Sequence, residues 1–135
     1  MRDFNFLADD TLVDALLVEI SGLMENLASR NIPGSIDLLG LPLSAACLAL
    51  LEKRLGNGEI HATLTAAGKS EICETSFSGV WWSRHADETG RVVAMLIDVA
   101  LVPEILKADI DDVRLSHRRL LDVTGSSCTG HQAPA

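Results

Sequence analysis

The sequence predicts an α+β domain: a mostly antiparallel sheet of about four strands, with helices packed largely on one face. Three observations support this prediction. Leucines recur at helical spacing near the start of the chain, apolar and polar residues alternate over 59–66, and an almost wholly apolar run covers 92–101. Because helical segments surround a block of consecutive strands joined by short turns, an antiparallel sheet is expected.

The first element is a long amphipathic helix. Asp10 or Thr11 can accept the free amide hydrogens at its start, and Asn31 with Pro33 marks its end. Apolar residues at helical spacing predict a stripe that faces the core. The stripe consists of Leu12, Leu16, Ile20, Leu23 and Leu27.

A short strand over 35–39 and a second helix follow. Pro42 and Ser44 open the helix, and Gly56 is the expected terminator. Four residues on one face of this helix are expected in the core. They are Leu43, Cys47, Leu51 and Leu55.

The next strand is predicted over 59–66, because its apolar residues alternate with polar ones. Ala67-Gly68-Lys69 supplies a turn, so the strand from Ser70 onward is expected to fold back as a hairpin partner. That second strand is long and is interrupted at Gly79, which indicates a bend or a bulge. The inward residues of the first strand are Ile60, Ala62, Leu64 and Ala66.

A further turn at 87–90 leads into the apolar run, which is typical of a central strand covered on both faces. Pro103 stops it, and Asp109 begins a closing helix. The charge order of that helix complements its dipole, with acids first and bases later. These residues are Asp111 and Asp112, then Arg118 and Arg119.

Composition limits the class of protein. The net charge of −8 and the scattered basic residues disfavour nucleic acid as a partner. Apolar runs reach only about seven residues, far short of the roughly 20 that a membrane helix needs. The acidic start does not resemble a signal peptide, and three unpatterned cysteines predict a reduced, cytoplasmic protein. The predicted limits are a flexible start over 1–9, one domain over 10–123 and a mobile tail over 124–135.

The segment from residue 71 to 85 contains both tryptophans, and they are adjacent. Successive side chains of a strand point to opposite faces, so Trp81 and Trp82 cannot enter one core unless a bulge intervenes. One indole is therefore expected on an outer surface, where indoles favour binding partners. The alternative is that Phe77 and both indoles fill the core around a bulge.

Candidates for chemistry are few. Cys128 and His131 have ligand-like spacing but lie in the predicted tail without a second pair. Glu74 and Asp98 interrupt strand-like segments, so an inward carboxyl group would need a partner such as Arg84 or Arg91, or a raised pKa. These two acids are the basis of a possible small enzyme, although a solvated face or an ion-pair ladder is the simpler interpretation.

Other reactive residues have structural interpretations. Cys73 lies beside glutamates, which disfavour its thiolate. His61 and His117 are expected at the surface. The stretch 56–58, Gly-Asn-Gly, follows a helix and precedes a strand, whereas phosphate loops run from strand to helix. The sequence therefore predicts a protein that binds something, not an enzyme.

Five short segments, in order, resemble one family. They are Leu-Gly-Asn-Gly-Glu at 55–59, the Glu-Thr pair within 72–75, Gly-Val-Trp at 79–81, Ile-Asp-Val at 97–99 and Val-Pro-Glu-Ile-Leu at 102–106. The set resembles the conserved C-terminal region of the HupH/HyaF-type hydrogenase expression proteins, and the similarity runs from about residue 10 to residue 122. Family members often have glutamate where Asp98 stands.

The resemblance implies a non-catalytic assembly chaperone in [NiFe]-hydrogenase maturation, without a cofactor or metal of its own. Its partner would be a hydrogenase structural subunit, in particular the iron–sulfur small subunit before export, and other maturation chaperones could join. The alternative is a protein that delivers a metal or cofactor precursor. Family members are often longer, so a homodimer is a hypothesis for this single copy. The expected partner-binding residues are Phe77, Gly79, Trp81, Trp82, Glu74 and Arg84.

Overall fold

The computed structural model describes residues 2–125, with side chains from residue 9 onward. The chain divides into two compact units, Met1–Pro103 and Glu104–Ala135. The helices and strands of the first unit are α1 (Arg2–Arg30), β1 (Gly34–Asp37), α2 (Ala45–Leu55), β2 (His61–Thr65), β3 (Lys69–Glu74), β4 (Val80–Ala86) and β5 (Val92–Val99). The described part of the second unit contains a 3-10 turn (Glu104–Leu106) and α3 (Ile110–Gly125).

All strand pairs are antiparallel, and the sheet order is β1-β5-β4-β3-β2. The predicted α+β class is confirmed, with five strands instead of about four. The additional strand arises at Gly79, where one long interrupted strand was expected. Gly79 has a φ of +89°, which glycine adopts readily, and it lies in a turn that reverses the chain between β3 and β4.

Directly paired residues lie on the same face of a sheet, so the register separates the two faces. Trp82 pairs with Ile97, and Ile97 pairs with Ile36. We call this side the Trp82 face, and both α1 and α2 pack on it. Its buried members from the strands are Ile36, Val80, Trp82, Met95, Ile97 and Val99.

The other side is the Trp81 face. Trp81 pairs with both Glu74 and Asp98, and Ser83 pairs with both Ile72 and Leu96. Ala62, Leu64 and Ala94 lie on the same side by the same register. Ile72, Trp81 and Ser83 are buried, whereas Ala62, Leu64, Ala94, Leu96 and Asp98 are half-buried.

Helix α1 begins at Arg2, eight residues before Asp10, and no proline or glycine interrupts residues 2–10. Its end is confirmed: Asn31 has a φ of 58°, and its amide donates to Leu27 O over 3.0 Å. Only the first position of the predicted stripe is wrong. Val13 is buried, and Leu12 is exposed, because adjacent helix positions differ by about 100° in direction. Leu16 and Ile20 are buried as predicted, and Leu23 and Leu27 are half-buried.

Helix α2 begins and ends as predicted, although Leu43 precedes it and is only half-buried against the core. The Ser44 Oγ accepts a hydrogen bond from the Cys47 amide over 3.0 Å, and Gly56 with a φ of +70° ends the helix. Cys47, Leu51 and Leu55 are fully buried against α1 and the Trp82 face. The Gly-Asn-Gly stretch is therefore a helix end leading towards β2, as expected.

Two strand predictions need correction. In β2, Ala62 and Leu64 are half-buried as expected, but Ile60 and Ala66 lie outside the strand and are exposed. In β5, the prediction of a strand covered on both faces fails at its start, where Val92 and Val93 are exposed and lie beyond the residues that pair with β1. The turn at Asp87 is confirmed, and its Oδ1 accepts hydrogen bonds from the amides of Thr89 and Arg91.

In the second unit, the Asp109 carboxylate accepts a hydrogen bond from the Asp111 amide over 3.4 Å, which confirms the predicted helix start. Helix α3 continues to Gly125, so Arg118 and Arg119 lie near its middle and not in its last turn. No residue of α3 is buried. The predicted tail beyond residue 125 lies outside the described residues, and the predicted domain limits stay a prediction. No helix within residues 2–125 is long and apolar enough to cross a membrane.

Candidate partner-binding surface

Both indoles are buried: Trp81 is 4% exposed and Trp82 is 7% exposed. The expectation that one of them faces outward is wrong. They point to opposite faces of a regular stretch of β4, as strand geometry requires. On each face the surrounding residues bury the indole. The register shift of this region lies at His85 and Ala86, beyond the tryptophans. The Trp81 Nε1 donates a hydrogen bond to Ala100 O over 3.0 Å.

Phe77 is the aromatic residue that remains accessible in this segment, with 47% of its surface exposed. It lies in the turn between β3 and β4, and Thr75 braces that turn from inside. The buried Thr75 hydroxyl donates to Val80 O over 2.9 Å, and its oxygen accepts the Phe77 amide hydrogen over 3.2 Å. Phe77 is thus held at the surface by hydrogen bonds within the turn.

Two further contacts fasten the turn to its surroundings. The Ser76 hydroxyl donates to Leu55 O over 2.6 Å, which joins the turn to the end of α2. The Ala100 amide donates to Gly79 O over 2.9 Å, which joins it to the residue after β5. The chain packs closely here, because a Cβ atom at Gly56 would lie 2.9 Å from the Ser76 hydroxyl oxygen.

Apolar cavities lie on two sides of the turn, and Met24 of α1 lines both. The larger, of about 590 Å³, is lined by Met24, Leu27, Ala28, Asn31, Glu74, Ser78, Gly79 and Leu101. The smaller, of about 310 Å³, is lined by Leu17, Ile20, Ser21, Met24, Arg54, Leu55, Phe77 and Val80. We call the combined surface the turn groove. Its aromatic and methionine side chains are of the kind that adaptable binding surfaces use.

A small polar cavity of about 50 Å³ lies on the Trp82 face, next to the end of α2. Trp82 lines it, and within the described residues its Nε1 has no hydrogen-bond acceptor. Cys73 also lines it, and burial, then the charge of Glu71, raises the pKa of that thiol. This confirms that the site disfavours a thiolate. The cavity has room for about one or two waters.

The predicted partner-binding residues therefore separate into three places. Phe77 and Gly79 line the turn groove, and Glu74 lines both the groove and the small polar cavity. Trp82 and Arg84 line only the small polar cavity, and Trp81 lies on the opposite face of the sheet. Their role in binding stays a prediction.

Sequence reasoning did not identify three groove residues. Met24 lies next to Leu23 of the predicted stripe, and an apolar side chain at the margin of that stripe was the available signal. Leu27 was assigned to the core, although it is half-buried and lines the groove. Leu101, at the end of the apolar run, is largely exposed.

The two strand carboxylates do not converge. Glu74 and Asp98 both pair with Trp81, from opposite sides, so two strand spacings of about 10 Å in total separate them. Burial raises the pKa of Asp98, while the Ser83 hydroxyl, which donates to its Oδ2 over 3.3 Å, and His85 oppose the shift. Of the two expected outcomes, an arginine partner or a raised pKa, Asp98 shows the raised pKa, and its hydrogen-bond donor is Ser83, not Arg84 or Arg91.

Potential metal ligands are dispersed. Across the described part of the chain, no three His, Cys, Asp or Glu side chains come close enough to hold a metal ion. His61 and His117 are exposed, as predicted. Cys128 and His131 lie outside the described residues, so their predicted ligand-like pairing stays a prediction.

The structure is that of a small α+β protein with an apolar groove beside the β3–β4 turn. Comparison with known proteins gives the family: residues 12–126 match the C-terminal conserved region of the HupH hydrogenase expression proteins, and the chain belongs to this family. The resemblance seen in the sequence is confirmed, with nearly the same limits.

Individual relatives agree. The chain is similar to the solved HupH structure from Thiobacillus denitrificans, with 38% identity and a TM-score of 0.78, covering 81% of this chain and 91% of that one. It is 26% identical to the hydrogenase expression/formation protein HoxQ of Azotobacter vinelandii over 84% of this chain and 42% of HoxQ. It is 31% identical to the hydrogenase-1 operon protein HyaF of Escherichia coli K12 over 67% of this chain and 32% of HyaF. The chain thus spans less than half the length of these two curated relatives.

Proposed function

We propose that this protein is a non-catalytic accessory chaperone in [NiFe]-hydrogenase maturation. In this proposal it holds a hydrogenase structural subunit, the iron–sulfur small subunit, in the cytoplasm before export or assembly. Family membership supports the hydrogenase connection, since the relatives are named as hydrogenase expression or formation proteins. The turn groove supports binding of a polypeptide.

The observation that carries the proposal is the position of Phe77. This side chain is about half exposed, it borders an apolar cavity lined by Met24, and its turn is fixed by Thr75 and Ser76. An incompletely folded subunit exposes apolar segments, and an aromatic anchor beside a methionine can bury several different sequences. The groove therefore suits a client with apolar side chains and no fixed tertiary structure.

Charge adds selectivity to this apolar recognition. The chain carries a net charge of −8, and Glu74 lines the larger cavity. At the smaller cavity, Arg54 is already engaged by Asp10 at 2.6 Å and Asp14 at 3.0 Å. A client segment that combines apolar and basic residues, such as an arginine-containing export signal, complements these charges.

The test is capture of the precursor small subunit by groove variants. Phe77→Asp and Met24→Asp each place a charge in the groove, so recovery of the precursor should fall about tenfold or more, as expected for a binding anchor. Val18→Asp is the matched control, because Val18 is highly exposed on the same helix as Met24 and lines neither cavity. The measurement is the amount of precursor co-purified with each tagged chain from the native host.

Circular dichroism must first show that all three variants keep the fold. Full capture by both folded groove variants would end the proposal that the turn groove binds the client. Absence of any hydrogenase subunit from the wild-type eluate would end the chaperone proposal itself.

A further inference from the structure

The two edge strands of the sheet differ in how they are protected against pairing with another chain. β1 follows Pro33 and ends at Asp37, whose Oδ1 accepts hydrogen bonds from the amides of Leu39 and Gly40. A flanking proline and a charged side chain are among the devices by which proteins block an edge strand. β2 lacks both, since residues 60–66 include no proline and no lysine, arginine, aspartate or glutamate. Its register with β3 also contains no bulge.

The register shows which backbone groups of β2 point away from the sheet. In an antiparallel pair of strands, hydrogen-bonded and non-hydrogen-bonded residue pairs alternate. The Glu74 amide donates to Ile60 O over 2.9 Å, and the Ala66 amide donates to Gly68 O over 3.0 Å, so the even-numbered residues of β2 bond to β3. The N–H and C=O groups of the odd-numbered residues therefore point outward. These residues, all with exposed side chains, are His61, Thr63 and Thr65.

The outward groups of β2 define the chemistry of a partner. β2 is the last strand of the sheet in the part of the chain that the structure describes, so no strand there pairs with its outer side. Three amides and three carbonyls form a row with a repeat of about 6.8 Å, which is twice the rise per residue of an antiparallel strand. Another extended backbone offers donors and acceptors at that repeat, whereas the backbone groups of a helix are bonded to each other.

We propose that an extended segment of the client adds a further strand to the sheet along the outer edge of β2. This inference rests on the proposed function and adds a second contact to the turn groove. The start of β2 lies at the same end of the sheet as the β3–β4 turn, because the Gly58 amide donates to Glu74 O over 2.8 Å, and Glu74 lines the groove. An incompletely folded client has backbone groups without partners, and the edge of β2 can bond to them.

One client segment can reach both contacts. β2 lies two strand spacings from β4, which is about 10 Å, and three extended residues span that distance. Hydrogen bonds to the backbone add affinity without dependence on the client sequence, while the turn groove favours apolar side chains. The edge thus explains how one small surface can hold different stretches of an unfinished chain.

Thr63→Pro tests the inference, because proline removes one outward N–H and leaves the hydrogen bonds between β2 and β3 in place. Thr63 lies opposite Glu71 in a non-hydrogen-bonded pair, and an edge strand tolerates proline where the N–H faces away from the sheet. Thr63→Val is the matched control, since it changes the same side chain and keeps the amide. Co-purification of the small-subunit precursor from the native host should fall about fivefold or more for Thr63→Pro. It should stay at the wild-type level for Thr63→Val.

Amide hydrogen exchange of the wild-type chain, followed by NMR, tests the edge without any substitution. In the free chain the amides of Thr63 and Thr65 should exchange quickly, whereas those of Ala62 and Leu64 should exchange slowly because they donate to β3. Addition of the purified precursor subunit should slow exchange at Thr63 and Thr65. Unchanged exchange at both amides in the complex would overturn the inference.

Three further results would also overturn it. They are equal capture by folded Thr63→Pro and Thr63→Val chains, a Thr63 amide that is already protected in the monomeric free chain, and a wild-type dimer that Thr63→Pro dissociates. The second would show that another part of the chain covers the edge, and the third would assign the edge to a second copy. Each leaves the chaperone proposal standing, whereas a wild-type chain that captures no hydrogenase subunit ends both. Circular dichroism confirms the fold of each variant.

Discussion

The two faces of the sheet differ although their strands are the same. On the Trp82 face, α1 and α2 close a core in which Leu51, Ile97 and Val99 are fully buried. On the Trp81 face, the direct neighbours of Ile97 and Val99 along the chain, Leu96 and Asp98, are only half-buried. The comparison shows that the Trp82 face is closed from Met95 to Val99 of β5, whereas the Trp81 face is closed at Ile72, Trp81 and Ser83 and only half-covered at β5.

The largest test of this comparison uses adjacent residues of β5. Ile97→Ala should lower the free energy of unfolding by about 2–5 kcal/mol, because the removed atoms leave a cavity in a closed core. Leu96→Ala removes a side chain that is only half-buried and should lower it by clearly less. Urea unfolding of both variants beside the wild-type chain measures the two losses. Equal losses would show that the Trp81 face is as closed as the other.

A smaller effect distinguishes the two indoles. Trp81→Phe removes the hydrogen bond to Ala100 O, whereas Trp82→Phe removes an N–H that has no acceptor within the described residues. The loss of ring volume is the same in both variants, so Trp81→Phe should be the less stable by about 1 kcal/mol. Comparison of the two urea midpoints at equal slope checks this. A less stable Trp82→Phe would indicate that its Nε1 has a partner in solution.

The smallest effect is the pH dependence from Asp98. Its pKa is raised by burial, so the folded chain holds this proton more tightly than the unfolded chain. Its contribution to stability therefore falls as the pH rises through the acid range up to the raised pKa. Asp98→Asn should remove this fall and leave the protein more stable at neutral pH, as thermal unfolding between acid and neutral pH will show.

Asp87 is the control of opposite sign. The hydrogen bond from the Thr89 side chain, and then the Arg91 amide, lower its pKa. Its stabilising contribution is present at neutral pH and is lost as the pH falls through the lowered pKa. Asp87→Asn should therefore be less stable at neutral pH. If both variants shift stability in the same direction, the half-buried position of Asp98 is not the cause.

Local sequence patterns predicted most of the elements. Ser44 and Gly56 limit α2 as expected, and the turn at Asp87 forms as expected, because hydrogen bonds within a few residues determine both features. The alternation of apolar and polar residues in β2 is likewise a local pattern. The strand count was low because the segment 75–79 contains no proline and its single glycine was interpreted as a bend or a bulge within one strand. The reversal there depends on the Thr75 hydroxyl bonding to Val80 O, which no periodicity reveals.

The candidate surface was harder to predict, because exposure depends on distant parts of the chain. Strand alternation correctly places Trp81 and Trp82 on opposite faces, but it contains no information on what covers each face. Phe77 and Gly79 were identified from the bend alone. Met24 and Leu101 meet near that bend only because α1 and the end of β5 reach the same corner of the sheet.

The bracing of the β3–β4 turn has a consequence for affinity. A loop that folds only when a ligand arrives loses conformational entropy at that moment, roughly 1–2 kcal/mol for each backbone residue that becomes ordered. Ser76 and Gly79 are already bonded to Leu55 and Ala100 in the free chain, so that loss has occurred during folding. A preorganised turn leaves the ordering penalty almost entirely with the client, and even short apolar client segments can then bind with useful strength.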